Sequence, residues 1–209
     1  MANTNHEIIS KEGIDFLTKR SSIFQDILNK YGTPPAWERE PGFETLIKII
    51  LEQQVSLESA KAHFIALQEN IGEINPSNVL HATEDQLTNS HLSRQKKIYI
   101  KALANEILNK GLDLETLNNL EEDEIRSKLI NIKGIGNWTV NVYLMMCLKR
   151  EDIFPIGDIA LKNTMKELAG LQTEEEMLKL AEEWRPYRTL ATFFMWHNYL
   201  SKKRKTLPK

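Results

Sequence analysis

An all-α chain is predicted by three features of the sequence. Apolar residues recur at i, i+3, i+4, i+7 spacing, Ser, Thr and Asp caps stand at the starts of these runs, and no β-branched alternation is long enough to build a sheet. Residues 10–19 and 22–31 read as two short helices, the second opened by Ser22 with Gln25 three residues on and closed by Gly32. Residues 33–42, with Pro34, Pro35 and Pro41, form a linker. From Phe43, the residues Leu46, Ile47, Ile50 and Leu51 share one helical face, a core element ending at Gln53 and Gln54. Ser56 caps the next helix, which runs to Gly72, and Asn75-Pro76 breaks the chain. Thr83 with Gln86 makes a capping box, and Ser93 caps a longer helix through Ile98, Ala102 and Leu108 to Gly111. Beyond Asp158, Thr173 with Glu176 forms a second capping box, and the last helix, opening at Pro186, carries Leu190, Phe193, Phe194, Trp196 and Leu200. There is neither an internal repeat nor a low-complexity tract.

The 209 residues suffice for one fair-sized core or two small lobes. A single cysteine, Cys147, cannot form an internal disulfide framework or supply the thiolates of an iron–sulfur cluster, and it suits a reducing cytoplasm or nucleus. No apolar run approaches the roughly 18 residues of a membrane span, and the first residues carry no signal-peptide core, so a chain of the cell interior is expected. The formal charge of -2 neither supports nor excludes a nucleic-acid partner, because phosphate contact depends on local Lys and Arg. Lys96-Lys97 and the tail Lys202-Lys203-Arg204-Lys205 are basic, while 121–124 and 174–176 are acidic, a pattern common on solvated helix ends.

The stretch 129–158 organises the rest. Gly134-Ile135-Gly136 lies between a polar segment ending in Ile130 and an apolar one from Trp138, a tight turn between two helices. Two glycines so close allow positive φ and expose peptide N–H groups, and at the positive end of a helix such groups suit a phosphate. Taken alone, a G-x-G is more often a plain helix–turn–helix corner with Gly as its stop signal. Downstream, Asp158 follows Pro155 and Gly157 at the mouth of a new helix. The ordered set Ile132, Gly134-Ile135-Gly136, Thr139 and Asp158 resembles the helix-hairpin-helix-GPD superfamily of DNA glycosylases. The resemblance extends to PGFETLIKIILEQQVS at 41–56, to Leu92-Ser93-Arg94-Gln95-Lys96, with His91 where Gly is common, and to Trp184-Arg185-Pro186-Tyr187-Arg188. The last segment is similar to that of the 3-methyladenine DNA glycosylase II subfamily, here as a compact form without the N-terminal β domain.

The resemblance implies two helical lobes with an active-site cleft between them: a barrel lobe of 38–150 that holds the hairpin, and a second lobe from 1–37 with 151–209. It makes Asp158 the carboxylate that stabilises the cationic sugar, although the same residue could be a plain N-cap. Trp138 fills the slot where strand-cutting members carry a Schiff-base lysine, so water is the expected nucleophile. Trp138 and Trp196, with Tyr143 more weakly, are the implied aromatic base pocket, where cation–π stacking favours a positively charged alkylated purine. Val142 stands where a pocket Tyr can occur. Gln54, with Gln53 beside it, matches the side chain pushed into the duplex when a base is flipped, while Gly134, Ile135, Gly136 and Thr139 would grip the strand. Carbonyls of Ile130, Ile132 and Ile135 are implied ligands of a structural Na+ or K+ when DNA is bound. No other cofactor is expected, and the His and Cys residues show no divalent-metal spacing. The expected activity is monofunctional excision of 3-methyladenine and 7-methylguanine from double-stranded DNA by a monomer in base-excision repair. A glycosylase for oxidised or mismatched bases, strand cleavage through another lysine, and a non-catalytic DNA-binding hairpin module remain as rivals.

Overall fold

The computed structural model describes residues 7–203, and Arg204 and Lys205 of the basic tail lie outside them. The described residues hold twelve α-helices, one 3₁₀ turn and no strand. None of the helices is long and apolar enough to cross a membrane. The chain divides into two compact units.

The hairpin unit comprises residues 39–143. Its centre is α3 (Phe43–Glu52), where Phe43, Thr45, Leu46, Ile47, Ile49, Ile50 and Leu51 are all buried. Only the stripe of Glu44, Lys48 and Glu52 stays open, so the buried face is wider than the one marked by Phe43, Leu46 and Ile50. Around it come α4 (Leu57–Ile71), α5 (Pro76–His81), α6 (Glu84–Asn89) and α7 (Arg94–Lys110). Ser56, Thr83 and Ser93 cap α4, α6 and α7 through their hydroxyls, each satisfying a first-turn N–H. Asn75 also caps, and Pro76 is the first residue of α5, so this pair starts a helix instead of breaking the chain. A 3₁₀ turn at Thr116–Asn119 leads to α8 (Glu122–Ile130), whose first turn is acidic, as the helix dipole favours. The hairpin and the first residues of α9 (Asn137–Met146), through Tyr143, complete the unit.

The terminal unit takes residues 7–38 and, from Leu144, those up to 203. The change of unit falls inside α9, where the Leu144 carbonyl accepts from Arg150 N–H at 2.9 Å and ties the helix end to the following turn. In this unit α1 (Lys11–Arg20) is followed by α2 (Ser22–Tyr31), which is capped by Ser21 rather than Ser22. Ser21 serves both helices: its N–H closes α1 on Leu17 at 3.0 Å and its hydroxyl accepts from Ile23 N–H at 3.3 Å. The remaining helices are α10 (Ile159–Ala169), α11 (Glu174–Glu182), started by the Thr173/Glu176 capping box, and α12 (Arg188–Lys202). Helix α12 begins two residues beyond Pro186, because Tyr187 N–H turns back to the Trp184 carbonyl at 2.8 Å. It is the core of the unit, with every residue from Thr189 to Trp196 buried. Phe24 meets Trp184 and Phe194 edge-on at 5.1 and 5.5 Å, the geometry that aromatic quadrupoles prefer.

Candidate active site

In the terminal unit the site is built on the turn that leads into α10. Its approach is pinned to the first turn of α12. Thr189 donates its hydroxyl to the Arg150 carbonyl at 2.6 Å and accepts from Ile153 N–H at 3.1 Å, while Arg188 grips Asp152 through Nε (2.6 Å) and Nη2 (3.0 Å). Asp158 N–H then closes a turn on the Pro155 carbonyl at 2.8 Å, and Asp158 becomes the N-cap of α10. Its Oδ1 accepts from Leu161 N–H at 2.8 Å and from the Trp196 indole N–H at 3.0 Å. Two donors on one oxygen fix the direction of the carboxylate. The residue is 9% exposed, yet its neighbours are open: Gly157 is exposed and Ile159 is 70% exposed. A buried acid between two solvent-facing residues can meet a reactant with little water around it, where a fixed charge acts most strongly.

Trp196 is itself held by aromatic neighbours. Phe193 stacks on it at 5.8 Å, and Trp37 meets both rings edge-on, at 6.0 Å to Trp196 and 5.4 Å to Phe193. Trp37 belongs to the proline-containing linker, where nothing in the local pattern marks it. It is the residue of this cluster that sequence reasoning missed.

In the hairpin unit, α8 ends at Ile130, Ile132 N–H returns to Leu129 and Ile135 N–H to Ile132 at 3.0 Å, and α9 starts at Asn137. The two glycines differ. Gly134 has φ of +95°, and a Cβ there would stand 2.1 Å from Tyr99 Cγ, so both conformation and space demand glycine. Gly136 does not have positive φ, and no atom lies within 4 Å of where its Cβ would be. Its contribution is an open backbone at the start of α9, where the first N–H groups have no intrahelical partner and can meet an anion.

Among the predicted site residues, Thr139 and Tyr143 are internal and Gln53 is half-buried. Gln53, the C-cap of α3, donates Nε2 to the Gly134 carbonyl and to Thr139 Oγ1, both at 2.9 Å. Thr139 is 1% exposed and its hydroxyl is the acceptor of that bond, so this pair links α3 to the hairpin instead of facing a strand. Tyr143 is fully buried and serves the core. Gln54, by contrast, is exposed with φ of +58°, a conformation that costs a non-glycine residue about 1–2 kcal/mol. Trp138 is half-buried in the first turn of α9. Lys96 is 7% exposed, and its ammonium donates to the Leu51 carbonyl in the last turn of α3 at 2.6 Å. Burial lowers its pKa below the usual lysine value. Among the described residues no cluster of three His, Cys, Asp or Glu could hold a metal ion.

The chain is thus all-helical, with a glycine hairpin opening one helix and an indole-bonded aspartate capping another. The chain belongs to the HhH-GPD superfamily of base excision DNA repair proteins, whose family model matches residues 47–186. It is 29% identical over 192 residues to the putative DNA-3-methyladenine glycosylase YfjP of Bacillus subtilis, covering 87% of this chain and 66% of that protein. It is 33% identical over 125 residues to the alkylbase DNA glycosidase-like protein mag2 of Schizosaccharomyces pombe, covering 58% and 59%. The chain thus spans less than two thirds of the length of these curated relatives. Among solved structures, the DNA-3-methyladenine glycosidase of Bacillus halodurans superposes with a TM-score of 0.75 at 26% identity, over 95% of this chain and 94% of that one.

Proposed function

We propose that this chain is a monofunctional DNA glycosylase that removes alkylated purines such as 3-methyladenine and 7-methylguanine from double-stranded DNA, the first step of base-excision repair. The observation that carries the reading is the carboxylate of Asp158, held by Leu161 N–H and the Trp196 indole at the mouth of α10. Breaking the N-glycosidic bond sends its electron pair to the leaving base and leaves positive charge at C1′, which a fixed carboxylate stabilises. Water then forms the new bond at C1′ and gives up a proton, so the products are the free base and an abasic site. Trp138 offers no amine in the slot where a lysine nucleophile would stand, which favours water over a Schiff base.

A base alkylated on a ring nitrogen is already cationic and leaves without strong acid catalysis, which suits a site with one carboxylate. The indole of the half-buried Trp138 would favour that cationic base over its neutral parent, while Trp196, covered by Phe193, would orient the carboxylate. Gln54 would fill the gap in the duplex, and the N–H groups at Gly134 to Gly136 would hold a phosphate. The carbonyls of Ile130, Ile132 and Ile135 are neutral oxygens suited to Na+ or K+, and the Ile132 oxygen, bonded once to Ile135 N–H, keeps a second lone pair for such an ion. The protein would act as a monomer where the genome lies, in a nucleoid or nucleus. A panel of single-lesion duplexes tests the reading: 3-methyladenine and 7-methylguanine should be released and the strand left uncut under borohydride. Release of only 8-oxoguanine, or of adenine opposite it, overturns the substrate, and binding without any release overturns the enzyme.

A further inference from the structure

We propose that Gln53 is a positioning residue that makes insertion of Gln54 into the duplex depend on the hairpin, so that the two gather into one mechanical unit. The proposal rests on the reading of Gln54 as the side chain that enters the DNA. Its basis is a set of three tethers on three consecutive residues, each from a different part of the hairpin unit. At Leu51, the Lys96 ammonium from α7 takes the backbone carbonyl at 2.6 Å. At Glu52, Arg39 from the linker makes a two-pronged bond, Nη2 to Oε1 at 2.9 Å and Nη1 to Oε2 at 3.1 Å, with both side chains only 9% and 11% exposed. At Gln53, the side-chain amide joins the Gly134 carbonyl and Thr139 Oγ1. The next residue, Gln54, leaves this anchorage exposed and with positive φ.

The arrangement has a direction. Lys96 and Arg39 fix the end of α3 to its own surroundings, whereas Gln53 is the tether that reaches the strand-gripping turn. The Gly134 carbonyl accepts from Gln53, and Tyr99 packs against the place where a Gly134 side chain would be. A phosphate seated on the N–H groups of the hairpin would therefore set the backbone from which Gln54 projects. Displacing that side chain by an ångström costs extrusion of the base and leaves the chemistry at Asp158 untouched.

The test compares Gln53→Met, which keeps length and shape and removes both donated bonds, with Thr139→Val, which removes one acceptor and leaves the other. Single-turnover excision is measured on a duplex and on a single strand carrying the same 7-methylguanine, and 2-aminopurine beside the lesion reports extrusion. For Gln53→Met we expect duplex excision and the fluorescence rise to fall about tenfold, and single-strand excision to change less than about twofold. Thr139→Val should give a smaller loss of the same kind, and the double variant no more than Gln53→Met alone. Equal loss on both substrates, or no loss on either, overturns the coupling while leaving the glycosylase reading intact. A wild-type chain that neither excises nor raises the fluorescence overturns both. If Gln53→Met does not fold, Thr139→Val alone decides, by the ratio of duplex to single-strand rates.

Discussion

Helix α3 in the hairpin unit and helix α12 in the terminal unit are each buried along most of their length, and each has a candidate site residue beside it. They hold these residues by different means. The end of α3 delivers Gln54 through backbone geometry: tethers at Leu51, Glu52 and Gln53, then a left-handed residue. Helix α12 delivers Asp158 through side-chain chemistry, an indole N–H on a carboxylate oxygen and a threonine and arginine on the approach loop. The glycine hairpin should therefore be sensitive to changes of shape that leave charge alone, and the start of α10 to changes of charge that leave shape alone.

Asp158→Asn is the sharpest break of that contrast. Asn caps a helix about as well as Asp, so the fold should hold, while excision should fall by about 10²–10³ with the lost charge. Asp158→Ala should lose the same activity and, in addition, about 1 kcal/mol of stability, because the Leu161 N–H is left without its acceptor. Single-turnover excision and thermal unfolding measured together separate the two effects. An Asn variant that excises normally would reduce Asp158 to a cap.

Gly134→Ala is the counterpart in the hairpin unit, a change of shape alone. Positive φ and the collision with Tyr99 together should cost roughly 3 kcal/mol, and duplex affinity should fall with it. Gly136→Ala meets neither obstacle and should stay within about 0.5 kcal/mol of wild type. Urea unfolding of the two variants decides, and equal costs would mean that the hairpin does not discriminate its glycines as the geometry demands.

Much of this was visible in the sequence because it is local. Ser56, Ser93, the Thr83/Gln86 and Thr173/Glu176 boxes and Asp158 are caps, and a cap is written within three or four residues of the N–H it satisfies. The all-helical fold follows from the same signals. What escaped depends on partners distant in the chain or on direction. Gln53 and Gln54 are the same residue type side by side, and only the backbone φ decides that one turns inward and the other out. Trp37 sits among prolines, and its partners Phe193 and Trp196 come from the far end of the chain. Thr139 and Tyr143 lie on a helix so apolar that periodicity gives no inner and outer face. Pro186 has the look of a helix start, but the turn closed by Tyr187 delays α12 to Arg188.

Lys96 extends the comparison to pH. Burial lowers its folded pKa beneath the ordinary lysine value of about 10.4, so between those two values the unfolded chain binds more protons than the folded one. Stability relative to Lys96→Met should then rise with pH across that window, because the penalty for a buried charge is lifted as the amine deprotonates. Urea midpoints of the two proteins at about pH 8 and about pH 10 measure it, and a gap that moves against wild type would contradict a buried, charge-penalised lysine.

Glu176 in the terminal unit should give the smallest effect, with the same slope in a different window. Backbone N–H bonds from Thr173 and Gln172, with the Thr173 hydroxyl, hold its pKa below the ordinary carboxylate value. The folded state therefore sheds its proton first, and the stabilisation is fully present above the ordinary carboxylate range and lost as pH falls through the lowered value. Glu176→Gln keeps an acceptor for the capping box but has no charge to titrate. Wild type should be slightly the more stable at neutral pH, and the difference should close in acid. Thermal midpoints of the pair at neutral pH and at about pH 3 check this, and a gap that persists in acid would mean that the glutamate works by shape, like the glycine hairpin, rather than by charge.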